Sequence, residues 1–336
     1  MNYFLCAVLL ATPVWAQELD WDAVIQSGVN AVDQGLNEFG YEVDREALAA
    51  IPRWDDLVRF WNSVDRTLAD GSLEQLAWLK PEVESTLGYL EQWPAAAPYA
   101  DWLRQQVDYF AVAEEVAAAE PEVPHRPPPA RVPPPLMLPP PPATSTPPAQ
   151  VVVKKRMGAQ ARKAEVWRKR VKDRPLPKNA DHLIPTLKEI FREEGVPEAL
   201  VWLAEVESTL DPKARSPVGA AGLFQFMPAT AKRFGLSTRF PDDRLNPEKS
   251  ARAAARYLRF LHGRFGSWSL AVAAYNAGEG RVGRVLAASS GTTFERIADD
   301  LPTETQLYVP KVAAVIELRE NKALEKLPAP RLAEKT

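Results

Sequence analysis

Cysteine is nearly absent from this chain of 336 residues: the one Cys, at position 6, lies inside an apolar run over residues 3–14. Residues 1–16 read as a signal peptide cleaved after Ala16, because Val14 and Ala16 place small side chains at the −3 and −1 positions. The chain beyond residue 16 holds no cysteine, which excludes disulfides, a thiolate nucleophile and thiolate metal ligands. Histidine is almost as scarce, with three in the chain, so neither a His-based metal centre nor any other cofactor is expected. An excess of one charge is also missing. The formal net charge of −3 gives no general pull toward nucleic acid, and nucleic acid is not an expected partner. Long apolar runs are lacking as well, the run at residues 3–14 falling short of the ~20 residues that span a bilayer. No Lys or Arg precedes that run, so the free amino terminus alone supplies its positive charge. Cys6 lies within the run rather than after it, which argues against lipidation. The expectation is an exported protein of the periplasm or cell envelope, soluble once the signal is removed.

Proline, by contrast, is plentiful, and its placement divides the chain. Nearly half of residues 121–150 are proline, where the missing amide hydrogen and fixed φ forbid helix and central strand. That segment reads as a polyproline II linker. Before it, residues 17–120 read as a separate helical domain rich in tryptophan, with segments at 23–39, 45–51, 54–68, 73–93 and 100–119. Leu57, Phe60, Trp61, Val64 and Leu68 recur at spacings of three and four and form one buried stripe. Its tryptophans fit core packing better than a sugar-stacking surface, although contact with a wall or envelope protein is a candidate role for this domain. After the linker, residues 151–330 read as a second helical domain, opened by a basic stretch with Trp167 inside it that fits a solvated helix face docked through the indole. The linker predicts that residues 151–336 fold and act without the residues before them.

The chemistry gathers in this second domain. A helix follows Pro185 and stops at Gly195, and Pro197 opens the next, on which Leu200, Leu203, Ala204 and Glu207 share one stripe. Glu198 and Glu205 are expected on the opposite, solvent side, so Glu205→Gln is expected to behave almost normally. A carboxyl among apolar neighbours loses hydration when it ionises, which raises its pKa and suits it to donate a proton near neutrality. The same pattern fits a buried structural glutamate. Beyond Asp211-Pro212 a glycine-rich loop, 216–222, can bring backbone close to a ligand. Taken alone, Phe224, Phe226 and Met227 fit core packing, Tyr275 and Tyr308 fit core or site equally, and Glu279 and Arg281 fit the surface.

The ordered segments AEVESTLDPKARSPVGAAGLFQFMPATA, AYNAGEGRV and TETQLYVPKV resemble the three motifs of the soluble lytic transglycosylases, glycoside hydrolase family 23, related to goose-type lysozyme and closest in pattern to the membrane-bound D type. Three motifs in order are far more specific than one. The resemblance implies a mainly α, lysozyme-like fold acting on peptidoglycan glycan strands. It implies Glu207 as the catalytic acid and base, with Ser208, Gly222, Gln225, Met227, Tyr275, Asn276, Glu304 and Tyr308 lining the cleft. Leu210, Phe224 and Gln306 depart from the usual aromatic, Met or Trp, and basic residues at their positions. It further implies cleavage of the β-1,4 bond between N-acetylmuramic acid and N-acetylglucosamine, with the muramoyl 6-hydroxyl closing on C1 to a 1,6-anhydro sugar. Two alternatives stay open. One is a goose-lysozyme-like muramidase, with Asp211, Asp242 or Asp243 positioning water; the other is a non-catalytic wall-binding scaffold.

Overall fold

A computed structural model describes residues 60, 63–64, 66–92, 97–119 and 158–331, apart from 217–218. The expected signal peptide, the proline linker, and Trp21, Trp54, Trp61 and Trp93 lie outside the described residues. Among the described residues every regular element is helical, as the sequence pattern predicts.

Helices α1 (Leu73–Leu90) and α2 (Ala97–Ala118) pair with each other. The first begins where Ser72 and Gln75 close a reciprocal capping box, which satisfies two amides that a helix start leaves open. After α2 come α3 (Ala159–Val171) and α4 (Ala180–Glu193), then a 3-10 turn, Glu198–Trp202, that tightens directly into the short α5 (Leu203–Ser208). Helix α4 thus begins earlier than expected and carries Pro185 within it. The remaining helices are α6 (Pro228–Arg233), α7 (Pro247–Phe265), α8 (Trp268–Ala277), α9 (Glu279–Ala288), α10 (Phe294–Ile297) and α11 (Thr303–Glu320). Asn246 caps α7 by accepting from Lys249 N, Pro247 occupies its first turn, and Gly266 at φ 72° ends it.

Two of these helices organise the rest. Helix α8 is buried continuously from Trp268 to Ala274, as expected of a segment with no polar face. Helix α11 packs against α3, α5, α8 and the 3-10 turn, so residues far apart in sequence meet along its sides.

The expectation of two separate cores meets a shared one. Buried side chains of α1 and α2, among them Leu76, Leu103 and Phe110, belong to the same apolar cluster as those of α4, α7 and α11. Tyr109 on α2 packs edge-on against Trp167 on α3, ring centroids 5.6 Å apart at 76°. Asp108 accepts from Arg170 Nε at 2.9 Å and from Arg174 Nη2 at 2.5 Å. The Thr303 hydroxyl, at the start of α11, donates to the Gly71 carbonyl. Trp167 is fully buried, so the basic stretch is docked through its indole as expected, but part of its cover comes from α2. Trp78, in contrast, is 80% exposed and is not core.

This sharing yields a prediction against the independence read from the linker. Residues 151–336 made alone should melt at least ~5 °C below the full chain, since each kcal/mol is worth roughly 2–4 °C in a domain of this size. Calorimetry of the two proteins decides it. Equal melting temperatures would mean that α1 and α2 add no stability.

Candidate active site

The element carrying Glu207 is short and crowded. Pro197 sets the entry to the 3-10 turn, and residues 199–206 are buried without interruption. Helix α5 stops at Thr209 and Leu210, both in the left-handed region at φ 53° and 59°. Leu210 N donates to Ala204 O at 3.1 Å and Thr209 N to Glu205 O at 2.9 Å, so the final turn closes on itself. Glu207 stands on that turn as a half-buried residue.

The solvent-side placement of Glu205 is corrected. Glu205 is 2% exposed and both its oxygens accept from Arg319 of α11, each at 2.9 Å. The reason is that this segment has core on both sides, and the face opposite Glu207 meets α11 rather than water. Glu198 does stay near the surface, paired with Arg192 at 2.7 Å.

Ser208 and Gly222 are also placed differently from a cleft lining. Ser208 is 1% exposed, and its hydroxyl lies 3.0 Å from Ala204 O and 2.9 Å from Leu223 O, tying the end of α5 to the following loop. Gly222, at φ 81°, lies so close to the Arg244 carbonyl that an added Cβ would approach it to 1.8 Å. The space left by its missing side chain is taken by protein backbone, not by ligand. Arg244 itself, buried, donates through Nη1 to the carbonyls of Gly219 at 2.8 Å and Phe226 at 3.0 Å, which stitches the loop shut. The sequence offered no spacing signal for that role.

Of the other expected side chains, Tyr275, Asn276, Glu304 and Tyr308 come together along α8 and α11. The Tyr308 hydroxyl donates to Glu207 Oε1. Tyr275 donates to Phe224 O at 2.8 Å, and its ring lies 5.2 Å from that of Tyr257. Asn276 Nδ2 donates to Glu304 Oε1 at 2.9 Å while its Oδ1 accepts from Thr305 Oγ1 at 2.6 Å, so the end of α8 is bolted to the start of α11. Gln225 turns its amide onto Gly222 O at 2.8 Å, and Met227 is left 44% exposed on the same loop. Glu279 is less superficial than its sequence context implies, accepting from Tyr257 OH at 3.0 Å and from Arg233. Where a basic residue is usual, Gln306 accepts from Lys163 Nζ of α3 at 2.6 Å, so a cation reaches this position from another helix. Leu210 and Phe224 are both fully buried, the latter stacked on Phe191.

Electrostatically, loss of hydration pushes Glu207 up to about 7; the Tyr308 hydrogen bond works against this, the Glu304 charge reinforces it, and the Lys311 charge opposes it. A carboxyl poised there can give a proton and take one back at neutral pH. Burial likewise holds the Tyr275 and Tyr308 phenols well above their ordinary values, with the Glu207 charge adding to the effect, so both stay as donors.

Residues 187–297 match the family model described as the transglycosylase SLT domain. The chain carries an SLT domain. Glu304 and Tyr308 lie beyond the matched stretch, and it is the fold that returns them to Glu207. The chain is similar to membrane-bound lytic murein transglycosylase D of Escherichia coli, 39% identical over 134 residues, which is 39% of this chain and 30% of that protein. It is similar to the soluble lytic murein transglycosylase of Salmonella typhimurium, 40% identical over 121 residues, 33% of this chain and 19% of that protein. A peptidoglycan transglycosylase of Escherichia phage T7 is 46% identical over 102 residues, 29% of this chain and 8% of that protein. The chain thus spans less than a third of the length of each of these relatives. The solved structure of the 70 kDa soluble lytic transglycosylase of Escherichia coli aligns with 28% identity and a TM-score of 0.39, covering 52% of this chain and 33% of that one.

Two predictions come from the geometry of the SLT domain. Glu205→Ala should lose about 3–5 kcal/mol in denaturant unfolding, because Arg319 is left buried without its partner. A loss below 1 kcal/mol, the scale of an exposed pair, would return Glu205 to the surface. The second concerns Glu207, whose pKa is higher folded than unfolded. Its contribution is fully present below the unfolded carboxylate value of ~4.3 and is lost as pH rises through about 7. Glu207→Gln should therefore raise the melting temperature relative to wild type at pH 8 and change it little at pH 4. The same offset at both pH values would show that Glu207 titrates as an ordinary carboxyl.

Proposed function

We propose that this chain is a peptidoglycan lytic transglycosylase of the cell envelope, cleaving the β-1,4 bond between N-acetylmuramic acid and N-acetylglucosamine. The observation that carries the reading is the Glu207 carboxyl, pushed by burial to near-neutral pKa on a half-buried residue and held by the Tyr308 hydroxyl. Protonated, it gives its proton to the glycosidic oxygen as the bond to C1 breaks. The muramoyl 2-acetamido group supports the cation that develops at C1. Ionised, Glu207 then takes the proton of the muramoyl 6-hydroxyl as that oxygen bonds to C1, and the enzyme returns to its starting state with no water consumed. A hydroxyl held on the same sugar has a very high effective concentration, so it outcompetes solvent.

The aspartates weighed for positioning water are each engaged locally. Asp211 accepts from Lys213 N at 2.8 Å, Asp242 from Arg244 Nη2 at 2.8 Å, and Asp243 from Lys249 Nζ at 2.7 Å. Glu304, whose charge acts on Glu207, is the carboxylate that favours the muramidase alternative. Asn276 holds one of its oxygens, and in the lyase reading it orients the sugar. Among the described residues no helix is long and apolar enough to cross a membrane. Export through residues 1–16 and contact of the N-terminal region with a wall or envelope protein belong to the same proposal; the exposed Trp78 on α1 supports the second.

The product decides between lyase and hydrolase. Glycan strands digested in heavy-oxygen water should yield unlabelled 1,6-anhydromuramoyl ends, one water lighter than hydrolysis products by mass spectrometry, and Glu207→Gln should lower turnover by at least 10²–10⁴-fold. Solvent-labelled reducing ends would overturn the transglycosylase reading in favour of a muramidase, with Glu304 as the residue to test for holding water. No turnover from folded wild-type protein would favour the scaffold.

A further inference from the structure

Lys311 is 3% exposed, deep in the fold. Its ammonium lies 4.2 Å from the centre of the Tyr109 ring on α2 and 5.3 Å from that of Trp167 on α3. It is three residues along α11 from Tyr308 and seven from Glu304, so the three occupy one stripe of that helix, the one that meets Glu207. We propose that Lys311 is the positioning cation beneath Glu207, and that α2, which supplies Tyr109 and Asp108 to hold it there, is part of the catalytic unit. This rests on the reading of Glu207 as acid and base.

The charges around the pair come from four helices. From α11, Glu304 disfavours the Glu207 carboxylate, Tyr308 donates to it and Lys311 supports it; on α8, the Tyr275 phenol is near enough for the Glu207 charge to raise its pKa. Around Lys311, Asp108 and the Tyr109 ring approach from α2 and Trp167 from α3, with Arg174 just beyond the end of α3. Burial pushes Lys311 down to about 8; Asp108, Glu207 and Glu304 favour its charge, and Arg174 opposes it. Burial also works against the Asp108 carboxylate, but Lys311, Arg170 and Arg174 outweigh it and hold Asp108 below its ordinary value. The largest support for the Lys311 charge therefore comes from Asp108 on α2, outside the SLT domain. As Glu207 gives up its proton, the negative charge it acquires is met by a cation already in place, which costs no rearrangement during the reaction.

Removing that cation has a defined sign. Without it the Glu207 carboxylate is less favoured, its pKa rises and it becomes a weaker acid. In full-length protein, Lys311→Met should move the alkaline limb of the kcat/KM profile upward by about half a unit or more and lower kcat with KM little changed. Lys311→Arg, which keeps the charge, should restore much of kcat and the wild-type limb. Asp108→Asn should move the limb in the same direction as Lys311→Met, because Lys311 then loses its proton more readily. A Lys311→Met limb that superimposes on wild type overturns the proposal; if that variant does not fold, an unmoved Asp108→Asn limb does so. Titration of wild-type Lys311 by 13Cε NMR requires no variant. Inflections near 8 and near the Glu207 transition support the coupling, and a single ordinary titration near ~10.4 overturns it. Should the wild-type product prove to be a reducing sugar, the lyase reading fails while the Lys311–Glu207 coupling remains measurable by the same titration.

Discussion

The hydrogen bond from Tyr308 to Glu207 is the contact on which the rest of the site depends. It joins a one-and-a-half-turn helix to the long α11, and it can form only where both groups have lost much of their water. A lone carboxyl in that position would stay protonated, and one fully hydrated would be too acidic for the task. The phenol offers it a partner without adding charge, which leaves it near the midpoint between the two states. The fold around it serves to keep that balance. The Gly222 turn lies against Arg244, Ser208 pins the end of α5 to the loop, and Asn276 spans α8 and α11.

On the other side of the same short segment, Glu205 and Arg319 form a buried pair that fixes α5 against α11. Two glutamates two residues apart thus meet the same long helix through different chemistry. One is ion-paired through both oxygens and shut off from solvent; the other is hydrogen-bonded to a neutral donor. The two differ in partner as well as in depth of burial.

Much of this was legible in the sequence. The helical class follows from spacing at three and four, and Glu207, Tyr275, Asn276, Glu304 and Tyr308 are flagged by ordered motifs whose residue types fit proton transfer. The misplacement of Glu205 has a plain cause. A 3-10 turn that runs into α5 does not keep a steady 100° per residue, and its neighbours Val201, Trp202 and Val206 were already a warning that no face of this segment is polar. Ser208 and Gly222 were read as cleft lining because a motif records that a residue type is required, not whether it touches ligand or holds backbone. Lys311 lies inside the third motif without being singled out there, and Arg244 outside all three, since what each does depends on groups from other elements. The division at the proline-rich stretch is a real change of composition, yet composition cannot reveal that Tyr109 and Trp167 face each other across it.

The arrangement also fixes the order in which the site is assembled as a chain is made. Synthesis delivers α2 before Glu207 and Glu207 before α11, and domains tend to form as their segments emerge. Until Tyr308 and Lys311 are present, Glu207 has neither its donor nor its cation, and the carboxyl sits in an unfinished pocket. A nascent or prematurely ended chain that stops before α11 accordingly presents Glu207 without the two groups that set its proton affinity. The covalent order of the helices thus makes completion of the site wait on α11.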